Sequence, residues 1–322
     1  MEAARRILKP SKHISNSVLL GDLGWLSLAT RRHLLIINFL QKIAECKENS
    51  LLRRVFRSSF SLYHLSAGRV ISWAGKAVQL QRYELDHLID HNGCFTQEKF
   101  ASNAKQAVIR VADSIWSDNV VEQNKLSWYS AVKDKPCYEH YLDLVRSVSI
   151  RRDILALRAE CFGIRVEIGR YAHEDRADRK CPLCNSQNRI EDVKHFLLEC
   201  PLLSDIRADH IELFDILRSC HANSRTSYPS SAESFCLNAL LGVEKEHKLI
   251  AQYILDENNR RASHDFSGNA HSITEWNTFG SFFVPRWTSF LKSICSFRRA
   301  LRGVDGTYCP YYNSAVLNHR SQ

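Results

Sequence analysis

The sequence predicts a mainly α-helical protein. Apolar residues recur at helical spacing, as Leu34, Ile37 and Leu40 do. Segment ends carry helix punctuation: Gly93, Pro136, Pro201, Gly242 and Pro285. One tight cysteine–histidine block, Cys181 to Cys200, interrupts the helical pattern. The expected architecture is a helical, bundle-like N-terminal portion, a small stapled knuckle, then further C-terminal helices and a loose tail. The expected boundaries are a poorly ordered basic leader over 1–20, a helical region over 21–150, the knuckle with flanking helices over 151–255, and a loop, short helix and tail over 256–322.

Each element follows from local pattern. Thr30 is a candidate cap for a helix carrying Leu34, Ile37 and Leu40 on one face. Asn49 and Ser50 break that pattern. Residues 66–92 read as a second helix ended by Gly93, and 96–121 as a third, with Thr96 and Glu98 as a loose cap. A fourth spans 123–148, interrupted near Pro136, and a fifth opens the stretch 150–170. After Pro201 comes an amphipathic helix with Ile206, Ile211 and Leu213 as core positions. Residues 221–233 read as a polar loop, and the next apolar stretch as two helices split at Gly242. From 264 the chain reads as loop, then as one short helix with Pro285 near its start. Trp25, Trp73, Trp116 and Trp128 read as core residues.

The chain of 322 residues carries a formal net charge of +9. Residues 1–70 hold twelve Lys/Arg and four Asp/Glu, so +8 of the excess sits in the first fifth. A clustered positive charge suits a polyanion better than a diffuse one. The longest apolar run, "HLLIINFL", is too short to span a bilayer, so no membrane partner is expected. Residues 1–20 lack the apolar core of a secretory leader. The 11 cysteines are therefore expected in a reducing compartment, nuclear and/or cytoplasmic, where a cysteine cluster signals metal rather than disulfides.

Cys181, Cys184, His195 and Cys200 follow the spacing C-x2-C-x10-H-x4-C. Two thiolates two residues apart grip an ion from a tight turn, and a tetrahedral zinc needs two further N or S ligands. Five residues along an ideal helix turn it by about 140°, so His195 and Cys200 would not share a helix face. Pro201 offers the way out, because the residue before proline is driven from helical geometry. The expectation is one structural zinc ion per chain, closed to water and without a hydrolytic role. Just upstream, Arg158, Arg165, Arg170, Arg176, Arg179 and Lys180 offer phosphate contacts and Tyr171 a stacking face. Six acids between Asp153 and Asp178 offer the competing fate, internal ion pairs.

These residues resemble the region downstream of the reverse transcriptase in LINE-type (non-LTR) retrotransposons. Gly169-Arg170-Tyr171, the basic run 176–180, "CPLC" at 181–184 and "IEDVKHFLLECPLLSDIR" at 190–207 carry the resemblance. "LLGDLGWLSLATRRHLLIINFL" and "KLSWYSAVKDKPCYEHYL" extend it more weakly, over residues 17–245 in all. The resemblance implies handling of RNA or DNA beside a polymerase during target-primed synthesis. No adjacent aspartate pair for two catalytic metals occurs in the sequence, and no nuclease signature follows the knuckle. The chain is therefore expected to be the detached C-terminal part of such an element and not an enzyme. Its expected function is a zinc-stabilised module binding RNA or single-stranded DNA, with a reverse transcriptase supplied in trans as a possible partner. The alternative is a structural remnant that docks on a polymerase without touching nucleic acid.

Overall fold

The structure, a computed structural model, describes residues 2–10, 12–65, 83–97, 99–184, 189–224, 230–264 and 275–301. It is mainly α, as the sequence predicts. In chain order the α-helices are α1 (Glu2–Leu8), α2 (Asn16–Asp22), α3 (Leu28–Ala44), α4 (Leu51–Leu65), α5 (Ala101–Val121), α6 (Ser127–Val132) and α7 (Tyr141–Leu144). Then come α8 (Val148–Arg158), α9 (Arg165–Tyr171), α10 (Ser204–Asp209), α11 (Ile211–Ser224), α12 (Ala232–Leu240), α13 (Glu244–His264) and α14 (Glu275–Ala300). No helix among the described residues is long and apolar enough to cross a membrane.

The chain sorts into two compact units. One comprises residues 20–122 and 133–138, the other residues 1–19, 123–132 and 139–322. The boundary expected at 20 coincides with a unit edge, whereas those at 150 and 255 fall inside the second unit, which the chain leaves and re-enters.

In the first unit α3 packs on α4 and α5. Ile37, Leu40, Ile43, Phe56, Phe60, Phe100, Ala104 and Val108 fill the space between them. Ser27, rather than Thr30, caps α3: its hydroxyl accepts from the Thr30 amide at 3.1 Å. The expected cap at Thr96 is displaced as well. Thr96 donates its hydroxyl to the His87 carbonyl, and α5 starts only at Ala101. The Gln41 side chain accepts from the Phe100 and Ala101 amides, so the cap comes from α3. Most of the helix expected over 66–92 lies outside the described residues; its end, from 83 onward, is turns and a short 3-10 segment, Asp86–Leu88.

The second unit is built on α13 and α14, which pack along each other and against α11, α12 and α8. Gly242 makes the turn between α12 and α13 at φ +74°, and a β-carbon there would meet the Tyr141 side chain at 3.1 Å. Trp287 is fully buried and donates its indole N–H to the Leu240 carbonyl. Three expectations are corrected here. The leader is not irregular: Ala4, Leu8, Ile14, Val18 and Leu19 are buried as α1, α2 and their connection pack. The stretch expected as a loop before Pro285 is helical from Glu275 onward, and Pro285 lies inside α14. Of the core positions expected after Pro201, Leu213 is buried but Ile211 is 48% exposed. The tail expected to be loose lies outside the described residues.

Candidate metal centre

The cysteine–histidine block folds as a short hairpin followed by one wide helical turn. Residues 179–181 pair with 189–191: the Cys181 amide donates to the Arg189 carbonyl, and the Glu191 amide to the Arg179 carbonyl. This fixes Cys181 at the hairpin's base, with Cys184 in the turn. Asp192 then starts the helical turn, its carboxylate accepting from the His195 amide at 2.8 Å. Residues His195–Glu199 form a π-helical turn, and the Cys200 amide donates to the His195 carbonyl at 2.7 Å. That i to i+5 bond resolves the five-residue mismatch, because a wider turn returns Cys200 beneath His195. Cys200 itself leaves helical geometry at φ −59°, ψ 118°, as a residue before proline should.

The result brings all four predicted ligands together. The donor atoms of Cys181, Cys184, His195 and Cys200 lie within 4.8 Å of one another. Cys181 Sγ is 3.9 Å from Cys200 Sγ, and Cys184 Sγ is 3.5 Å from His195 Nε2. A tetrahedral ion bound at about 2.3 Å by sulfur and about 2.0 Å by nitrogen has edges of about 3.8 Å and about 3.5 Å. The donor set can therefore hold a metal ion. The contact with Cys200 and burial push the Cys181 thiol up to about 12, while the same contact draws Cys200 down. Hydrogen bonding to Cys181 raises His195 to about 9. Such crowded donors compete for protons, and a divalent cation can replace those protons.

The surrounding shell was not legible from spacing. Glu191 is fully buried, with one carboxylate oxygen 3.9 Å from Cys181 Sγ. Its other oxygen accepts from the Arg165 amide and the Arg298 guanidinium, both at 2.7 Å. Glu199 lies 3.8 Å from His195 Nδ1, on the ring edge away from the cluster. Arg207 donates to the Cys200 carbonyl at 2.5 Å. Glu191 and Glu199 sit beside the ligand motif and could have been suspected; Arg298 comes from α14, and nothing in the sequence points to it.

The structure divides the seven candidate nucleic-acid contacts. Arg158 is excluded by burial at 1% exposure. It pairs with Glu139 at 3.0 Å, donates to the Leu241 carbonyl and lies over the rings of Trp128, Tyr129 and Tyr141. Arg165 pairs with Glu174 at 2.6 Å, and Arg170 lies 3.8 Å from Glu160. Arg179 donates to the Glu174 and Val166 carbonyls, and its stem packs so close to Gly169 that a β-carbon there would meet it at 2.6 Å. Tyr171, Arg176 and Lys180 remain exposed. No protein family matches the chain, and none of the curated proteins or solved structures compared with it does either.

Proposed function

We propose that this chain is a non-catalytic module, stapled by one structural zinc ion, that binds RNA or single-stranded DNA and descends from the C-terminal part of a LINE-type reverse transcriptase protein. The observation that carries the reading is the convergence of Cys181, Cys184, His195 and Cys200 at tetrahedral spacing. Three thiolates and an imidazole in that geometry favour zinc over harder cations. Four protein ligands close the shell, which suits a staple rather than a hydrolytic centre. Arg176 and Lys180 add exposed positive charge beside the hairpin.

A second reading has its own support. Arg158, Arg165, Arg170 and Arg179 are engaged inside the fold, and α4 shows an exposed apolar stripe, Leu51, Val55, Leu62 and Leu65. A module that docks on a polymerase would use such a stripe.

The primary experiment measures zinc in the purified protein by elemental analysis, then in Cys181→Ser/Cys184→Ser. The expected result is one zinc per chain, lost in the variant. A well-folded wild type without zinc overturns the staple. A titration with RNA and single-stranded DNA at low salt follows, and Arg176→Glu/Lys180→Glu should weaken binding several-fold. Unchanged binding in that variant places the contacts away from the hairpin, and a wild type that binds neither strand favours the docking reading.

A further inference from the structure

A cleft of about 560 Å³ opens in the second unit beside α8 and α9. That is the size range of small-ligand sites, about 300–1,000 Å³. Its wall combines Lys9, Arg152, Tyr171, Glu167 and the Asp153–Arg299 pair. Lys9 and Arg152 are exposed, and neither makes an ion pair among the described residues. Asp153 does not oppose an anion, because Arg299 holds it at 2.7 Å. Tyr171 is 55% exposed on the rim, its ring 5.5 Å from that of His13. Cys161, also in the wall, is buried.

We infer that this cleft holds one unpaired nucleotide of a single-stranded nucleic acid, its base against Tyr171 and its phosphate on Lys9 and Arg152. The inference rests on the nucleic-acid reading above and gives it a place. A base in a duplex is stacked on its neighbours and cannot enter a concave site, so the ligand is single-stranded. An aromatic face with flanking cations is the recurring platform for such strands, because every base has a π-face and every linkage a charge. Glu167, also in the wall, is buried and its carboxylate accepts from the Gly163 amide, so it is held by the fold. Residues from α8, α9 and α14 line the cleft together with the segments that follow α1 and join α8 to α9.

The test is fluorescence anisotropy of a labelled ten-nucleotide strand, RNA and DNA in turn, at about 50 mM salt, where phosphate contacts are strongest. Tyr171→Ala should weaken binding roughly 5- to 100-fold, and Tyr171→Phe should retain it. Lys9→Ala/Arg152→Ala should weaken binding and reduce the slope of log affinity against log salt by about 0.7, the share of one phosphate. The same strand annealed to its complement should bind less tightly and ignore Tyr171→Ala. Circular dichroism checks that these surface variants fold. If the wild type binds and none of these variants changes the affinity, the cleft is overturned while the nucleic-acid reading stands. If the wild type binds neither strand, both fall.

Discussion

Burial strips a guanidinium of its water, so Arg158 is stable at 1% exposure only with replacements for that hydration. Glu139, the Leu241 carbonyl and three ring faces supply them. Removing one partner of a buried pair leaves the other charge uncompensated, at about 3–5 kcal/mol. Arg158→Met is therefore expected to lose about that much in urea unfolding, since Glu139 stays 7% exposed. Arg158→Met/Glu139→Gln should recover most of the loss, because no charge is then stranded; equal loss in both would show that packing, not charge, holds the site. Residue depth is what the sequence conceals. Arg158 and Arg176 look alike in a basic stretch, yet Arg158, at the end of α8, is buried and Arg176 lies in an exposed turn. The four candidate metal ligands were legible because their geometry is local: a turn, a helical start and a proline within one short stretch set it.

At the scale of elements, the candidate metal site depends on a π-turn that a continuing α-helix would erase. Pro201 stops that continuation, and Cys200 needs its extended ψ of 118° to face the cluster. Pro201→Ala should weaken metal binding several-fold in a chelator competition while leaving the fold intact; unchanged affinity would assign the bend to packing by Leu203 instead. The hairpin is also tied to α14 through Arg298 and Glu191, both about 1% exposed or less. Arg298→Met should cost about 3–5 kcal/mol, by the same logic of a stranded carboxylate. Because Glu191 lies against Cys181, that loss should not add to the loss caused by chelation. Strict additivity in a double cycle would separate helix and knuckle. Helix order was largely readable from punctuation, but the first half of α14 was not. The residues before Pro285 read as loop and Pro285 as a helix start, whereas Phe279, Phe283, Trp287, Phe290 and Ile294 form one buried stripe at helical spacing that carries the helix through the proline. Pro285 removes the amide that would bond the Ser281 carbonyl, a local cost set against that burial.

For the molecule as a whole, a buried histidine pair in the second unit is expected to contribute to the acid response. His247 donates Nε2–H to the Ala239 carbonyl at 2.8 Å, so its Nδ1 accepts from His140 Nε2 at 2.9 Å. The rings of Phe279, Phe283 and Trp287 enclose His247. Burial, then the neighbouring His140, lowers His247 to about 3. Burial also lowers His140, although Glu244 and Glu139 oppose the shift; Arg158 and Lys248 add to it. At these two histidines the unfolded chain therefore binds more protons than the folded one below about pH 6.5, and their contribution to stability falls as pH falls through that window. From His247 alone the loss at pH 5 is about 2 kcal/mol, at about 1.4 kcal/mol per unit. Protons also compete for the thiolate ligands in the same range, so the two effects need separating. His247→Phe keeps an aromatic ring and removes the titration. Its unfolding free energy should be lower than the wild type's at pH 7, because the Ala239 carbonyl and His140 lose a partner. Between pH 6.5 and 5 it should fall less steeply than the wild type's, by about 2 kcal/mol over the interval. A variant curve parallel to the wild type's would remove the histidine pair from the acid response and leave the metal site and the carboxylates to explain it.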